Sequence, residues 1–180
     1  MQRQGLLGHL KKPKKTDRDT RLVILGLDNA GKTTIIKALC DEELSTITPT
    51  QGFNVKTMAK DGFKLNVWDV GGQREIRKFW KNYYYQTEAI IYVIDSSDRK
   101  RISECGSELS ELLGEDELAG LPLLVYANKQ DLIQALPAEE LAEKLNLMLI
   151  KDRLWCIVAC SAKTKEGLID GLEWLTAALK

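Results

Sequence analysis

The stretch that decides the fold is Arg21-Leu22-Val23-Ile24-Leu25 followed by Gly26-Leu27-Asp28-Asn29-Ala30-Gly31-Lys32-Thr33-Thr34. A short apolar run reads as a buried strand. Gly-x-x-x-x-Gly-Lys-Thr directly after it is a phosphate-loop pattern that opens a helix. The glycines let backbone N–H groups curl around phosphate oxygens, and the positive end of the following helix backs them. Asp28, Asn29, Ala30, Gly31, Lys32, Thr33 and Thr34 are therefore the expected phosphate contacts of a bound nucleotide. Lys32 would bridge the terminal phosphates, and the Thr33 hydroxyl would hold Mg²⁺. Asp28 is the odd member, because a carboxylate close to phosphates costs energy. It is expected to point away.

Outward from this loop, strand-like and helix-like segments alternate. Strands are expected at 21–25, 53–59, 63–69, 89–95, 122–127 and 154–160, and helices near 32–40, 74–84, 98–113, 138–145 and 166–179. Asp61-Gly62 is a two-residue hairpin signal. All other strands are separated by helices, which implies right-handed parallel crossovers. The predicted fold is α/β: a six-stranded, mostly parallel sheet with one antiparallel edge strand and helices on both faces. Ligands of such sheets bind at the carboxyl ends of the strands.

Composition narrows the function. The chain has 180 residues, enough for one compact domain with a real core. Lys plus Arg and Asp plus Glu both number 26, so the molecule has no net field to recruit nucleic acid, and none is expected as a partner. The cysteines, Cys40, Cys105, Cys156 and Cys160, include no C-x-x-C pair, and His9 is the only histidine. That removes the usual zinc arrangements and histidine-dependent triads. No secretory pattern or long apolar run is present, so a cytoplasmic protein is expected. Residues 1–20 stand apart as a basic, amphipathic extension, and 21–180 form the nucleotide-binding domain. In the extension Leu6, Leu7 and Leu10 make a short apolar stripe, and Lys11, Lys12, Lys14, Lys15 and Arg18 crowd around Pro13. N-myristoylation needs glycine after Met1, and the chain has Gln2. Membrane contact through this stripe is expected to be weak and reversible.

The base is read from two further strand ends. Asn128-Lys129-Gln130-Asp131 follows an apolar run. A carboxylate accepts two parallel hydrogen bonds, which suits the adjacent N1 and N2 donors of guanine. Adenine would leave Asp131 unpaired, and such a loss rejects the wrong ligand strongly. Asn128 would tie this loop to the phosphate loop, and the Lys129 stem would cover the purine. In Cys160-Ser161-Ala162-Lys163 the Ala162 amide would face guanine O6, flanked by Ser161 and Lys163.

Two loops distinguish a signal from a fuel. Trp68-Asp69-Val70-Gly71-Gly72-Gln73 ends the hairpin. Asp69 would reach Mg²⁺ through water, and the Gly72 amide would donate to the γ-phosphate. Thr50, in Thr48-Pro49-Thr50, would coordinate the same Mg²⁺. Gln73 would orient the attacking water. The γ-phosphate contacts exist only with GTP, so both loops would be ordered by GTP and released in the GDP form.

The motifs GLDNAGKT, TPTQGFN, WDVGGQR, NKQD and CSAK, with Phe53, Trp68 and Tyr83, resemble the Arf family of small GTPases across nearly all of residues 20–180. Within the family the likeness is to the Arf-like branch. It implies a GTPase that works as a monomer with an activating protein and an exchange factor. It also implies a hairpin that moves by two residues, and an effector-facing aromatic triad of Phe53, Trp68 and Tyr83. Arg74 and Arg77 are expected at the surface of the helix after Gln73, so no arginine is supplied in cis and intrinsic hydrolysis is slow. The resemblance implies GTP-dependent binding to carriers of lipidated proteins, with cargo released toward cilium or membrane. The alternative within the family is vesicle-coat traffic at the Golgi. A P-loop nucleotide kinase is disfavoured, since NKQD has no role there. A non-hydrolysing scaffold is disfavoured by Gln73.

Overall fold

The structure is a computed structural model and describes Leu10 and residues 12–180. Leu6, Leu7 and Lys11 lie outside the described residues. The strands are β1 (Arg18–Leu25), β2 (Phe53–Lys60), β3 (Phe63–Val70), β4 (Ala89–Asp95), β5 (Leu123–Asn128) and β6 (Trp155–Ala159). The helices are α1 (Lys32–Leu39), α2 (Arg74–Arg77), α3 (Ile102–Leu113), α4 (Ala138–Lys144) and α5 (Leu168–Ala178). One sheet runs β2-β3-β1-β4-β5-β6. Only the β2–β3 pair is antiparallel. This is the expected α/β architecture.

The central strands are apolar on both sides because both faces of the sheet are covered. Alternation then sorts their side chains. Val23, Leu25, Ile90, Tyr92, Ile94, Leu123 and Val125 pack with α3, α4 and Trp80. Leu22, Ile24, Ile91, Val93, Leu124 and Tyr126 pack with α1 and α5. Leu10 lies against this second layer, half-buried. The buried tyrosines keep their hydroxyls satisfied: Tyr126 donates to the Leu168 carbonyl (2.6 Å) and Tyr92 to that of Cys105 (3.0 Å). Among the described residues no helix is long and apolar enough to cross a membrane.

Most boundaries fall within a residue or two of expectation, and three differences are larger. α3 begins at Ile102, after a 3₁₀ turn over Arg99–Arg101, rather than near 98. β1 starts at Arg18 rather than 21, because residues from Arg18 onward pair with β3 from Phe63 onward. The helix expected over 74–84 breaks into α2 and a 3₁₀ turn over Trp80–Tyr83. The break lets Trp80 and Tyr84 both enter the core while Phe79 stays half-exposed.

The β2–β3 hairpin is paired from Phe53↔Val70 down to Lys60↔Phe63. Asp61 and Gly62 turn it with φ of 52° and 85°, the double left-handed geometry of a type I′ turn. Its tip is fastened to α5. Thr176 Oγ1 donates to Asp61 Oδ2 (2.8 Å), and the buried Lys60 ammonium pairs with Asp61 and Glu173.

Candidate functional site

The loop after β1 turns against β4 and β5 so closely that only glycine fits. A Cβ at Gly26 would lie 2.3 Å from the Val93 carbonyl oxygen, and one at Gly31 would lie 2.3 Å from Asn128 Nδ2. Both glycines also hold positive φ, 148° and 100°. Lys32 is buried, and its ammonium donates to the Gly26 (2.8 Å) and Leu27 (3.0 Å) carbonyls. Burial pulls its pKa down to about 8, against the opposing pull of Asp69 and Asp28.

Three oxygen-bearing side chains from separate elements converge beside it. Thr33 Oγ1 donates to Asp69 Oδ2 at 2.6 Å and lies 2.9 Å from Thr50 Oγ1. Asp69 is 2% exposed, and burial raises its pKa despite the Thr33 bond and the Lys32 charge. Its other oxygen, Oδ1, is buried without a partner among the described residues, as is Gln73 Oε1. Hard oxygen donors with an orphaned carboxylate oxygen are a set that fits Mg²⁺.

Backbone bonds close the loops over this point. The Gly71 amide donates to the Gly52 carbonyl (2.8 Å), and the Asp28 amide to the Gly72 carbonyl (3.1 Å). The resulting cleft of about 360 Å³ is lined by residues 28–34, 47–50 and 71–73. Asp28, the unexplained carboxylate, is held by Arg101. Arg101 Nη1 lies 2.8 Å from Oδ1, Nη2 donates to the Asp28 carbonyl at 2.8 Å, and Arg77 Nη2 lies 3.4 Å from Oδ1. Burial works against its ionisation, yet the Arg101 bond and charge prevail and hold the carboxyl below the ordinary range.

The guanine-reading motifs lie outside that cleft, at the next two strand ends. Asn128 is 1% exposed, and its Nδ2 donates to the Ala30 carbonyl (2.9 Å). Asp131 is exposed, with Oδ1 accepting from Ser161 Oγ (2.7 Å). The Lys129 ammonium pairs with Asp95 Oδ2 (2.9 Å). Lys163 is exposed. The Ala162 amide, expected to face guanine O6, donates to Asn128 Oδ1 (3.0 Å), a buried carboxamide oxygen that needs a donor.

Phe53, Trp68 and Tyr83 come together on the outer face of the hairpin. Ring centroids of Phe53 and Trp68 are 5.0 Å apart and stacked, and Tyr83 lies 5.3 Å from Phe53. The Arg21 guanidinium stacks 3.8 Å from the Trp68 centroid. Arg74 is exposed as expected, but Arg77 is not. Its side chain is 5% exposed and bonded to Glu104 (2.6 Å), Glu108 (3.1 Å) and the Gly72 carbonyl (2.8 Å), so three acceptors draw it inward. The pairings of Arg77 with Glu104 and Glu108 and of Arg101 with Asp28 gave no local sequence signal, because these carboxylates are distant in the chain.

The comparisons match this geometry. The model of the ADP-ribosylation factor family covers residues 6–179. The ADP-ribosylation factor-like protein 3 of Chlamydomonas reinhardtii is 56% identical over 176 residues, 98% of this chain and 99% of its own. The ADP-ribosylation factor-like protein 3 of Caenorhabditis elegans is 53% identical over 178 residues, 98% of this chain and 97% of its own. Among solved structures, the Arl6 BBS3 small GTPase of Trypanosoma brucei, with bound nucleotide analogue GppNp, superimposes with a TM-score of 0.81 at 36% identity. The match covers 89% of this chain and 97% of that one. The fold and cleft are those of a small GTPase. The chain belongs to the ADP-ribosylation factor family.

Proposed function

We propose that this chain is a guanine-nucleotide switch of the Arf-like kind. It binds GTP and GDP with Mg²⁺ and hydrolyses GTP slowly until an activating protein engages it. The observation that carries the reading is the convergence of Thr33, Thr50 and Asp69 on one point, beneath two loops that close over the phosphate loop.

Thr33 and Thr50 would hold the Mg²⁺ directly and Asp69 through water. The ion, when bound, supplies positive charge to the phosphate oxygens. Lys32 presents a fixed ammonium to the terminal phosphates, backed by the amides of residues 28–34. The Gly72 amide donates to the γ-phosphate, and the partnerless Gln73 Oε1 accepts from the attacking water. Asp131 reads the guanine edge, steadied by Ser161, while Lys129 flanks the ring. The Ala162 amide, beside Asn128, donates to guanine O6. Among the described residues near the phosphate loop, Arg77 and Arg101 are held by carboxylates and carbonyls, and Arg74 lies exposed on the surface, so none of the three is assigned to the developing charge. An arginine at that charge is worth about 10³–10⁵ in rate when an activator supplies it. Slow intrinsic turnover follows.

The likeness to ADP-ribosylation factor-like protein 3 relatives supports a role in which the GTP form binds carriers of lipidated proteins and releases their cargo. It would act as a cytoplasmic monomer with an exchange factor and weak membrane contact, its Phe53, Trp68 and Tyr83 face meeting the carrier. Calorimetry with GTP analogue, GDP and ATP tests the switch: guanine nucleotides bind and ATP does not. Comparable ATP binding would refute it. Capture by Gln73→Leu loaded with GTP tests the role. Carriers of lipidated proteins support it, and vesicle coats in their place overturn it.

A further inference from the structure

Gly71-Gly72-Gln73 contains two consecutive peptide planes, each gripped from behind by a different side chain. The Gly71 carbonyl accepts from Trp80 Nε1 at 2.9 Å, and the Gly72 carbonyl accepts from Arg77 Nε at 2.8 Å. A trans peptide is planar, and its N–H points opposite to its C=O. Holding the Gly71 carbonyl therefore aims the Gly72 N–H. Holding the Gly72 carbonyl aims the Gln73 N–H and seats the Gln73 Cα.

Neither gripping residue lines the cleft. Trp80 is 2% exposed and fixed in the layer between the sheet and α3. Arg77 is anchored by Glu104 and Glu108 on α3. The glycines have no conformational preference that would hold these planes by themselves. Gly72 is in addition pressed against the phosphate loop: its carbonyl also accepts from the Asp28 amide (3.1 Å), which leaves Arg77 as its only side-chain donor among the described residues, and an added Cβ would lie 2.2 Å from the Gly26 carbonyl oxygen.

We propose that Trp80 and Arg77 are positioning residues: Trp80 aims the Gly72 amide at the terminal phosphate, and Arg77 seats Gln73 for the attacking water. Triphosphate recognition is then set from the α3 side of the sheet, through two hydrogen bonds that never touch the nucleotide. The inference rests on the switch reading above and assigns a division of labour within it.

The test uses the full chain and its Trp80→Phe and Arg77→Lys variants. Release of fluorescent GDP and of a fluorescent non-hydrolysable GTP analogue is measured with Mg²⁺, together with melting midpoints and single-turnover GTP cleavage. Losing one hydrogen bond that aims a charge-facing donor should speed release of the GTP analogue from Trp80→Phe about tenfold, with GDP release little changed. Arg77→Lys should slow cleavage about tenfold and leave GDP release unchanged. Equal acceleration of both nucleotides with a lowered midpoint would make Trp80 a packing residue only and overturn its part. Unchanged cleavage in Arg77→Lys would overturn the other. If Trp80→Phe does not fold, benzothienylalanine at position 80 keeps the fused rings and removes only the N–H, and the same readings apply. A wild-type chain that holds ATP as well as GTP would instead refute the switch reading itself, which separates the two failures.

Discussion

A methyl group at Gly72 would sit 2.2 Å from the Gly26 carbonyl oxygen and 2.5 Å from the Leu27 carbonyl carbon. These are backbone atoms of the phosphate loop and have no rotamer to escape into. Gly72→Ala therefore lifts the 71–73 loop off its seat. The expected outcome is a loss of GTP-analogue affinity of at least about tenfold, with GDP affinity nearly intact. Calorimetry on both nucleotides decides it, and an equal loss on both would contradict it. Burial pushes the Cys105 thiol up to about 12 and the Cys160 thiol higher still. Since the thiolate is the reactive form, neither should label near neutral pH in the folded chain. Mass spectrometry after a thiol reagent should find modification at half-buried Cys40 and Cys156 first, and at the other two only on unfolding. The residues gathered around the cleft were legible in the sequence wherever their logic lies within one short run, as in Gly26–Thr34 or Asp69–Gln73. Arg101 was not, because the carboxylate it holds is 73 residues away. The bond from the Ala162 amide to Asn128 Oδ1 was not legible either, because its acceptor arrives from another strand.

Among elements, α5 shows packing overriding propensity. Gly171 sits mid-helix, where alanine would ordinarily gain up to about 1 kcal/mol. Yet a Cβ there would lie 2.5 Å from the Tyr126 ring, whose hydroxyl is tied to Leu168. Overpacking costs about 1–3 kcal/mol. Gly171→Ala should lower the urea midpoint, and a rise would refute this packing argument. At the hairpin tip, the Thr176 hydrogen bond, opposed by slight burial and helped by Lys60, holds the Asp61 carboxyl below the usual range. A depressed carboxylate stabilises above its unfolded pKa of about 4 and loses that contribution as pH falls through the folded value. Asp61→Asn should accordingly be less stable than wild type near neutrality and lose less on acidification. Parallel acid profiles from urea melts would dismiss the tip contact. Strands were easier to read than the segment after Gln73. Its apolar spacing suits a continuous helix, but placing both Trp80 and Tyr84 inside requires the tighter 3₁₀ turn.

The whole molecule is a sheet sealed on both sides, and that is why its class was legible: strands buried twice over are apolar throughout, and the helical segments between them leave few topologies. What binds at one edge of such a body stabilises all of it. Saturation with GDP at about a thousand times its Kd should add about 4 kcal/mol, and stripping nucleotide with a chelator should lower the melting midpoint by the corresponding amount. An unchanged midpoint would mean that the cleft holds nothing tightly. The hairpin turn carries a last consequence. With β2 and β3 paired down to Lys60↔Phe63, Asp61-Gly62 has no spare chain to pay out. Were one strand displaced, the other would have to travel with it as a slab. Any such travel would have to break both the seam between β3 and β1 and the tip's bonds to α5.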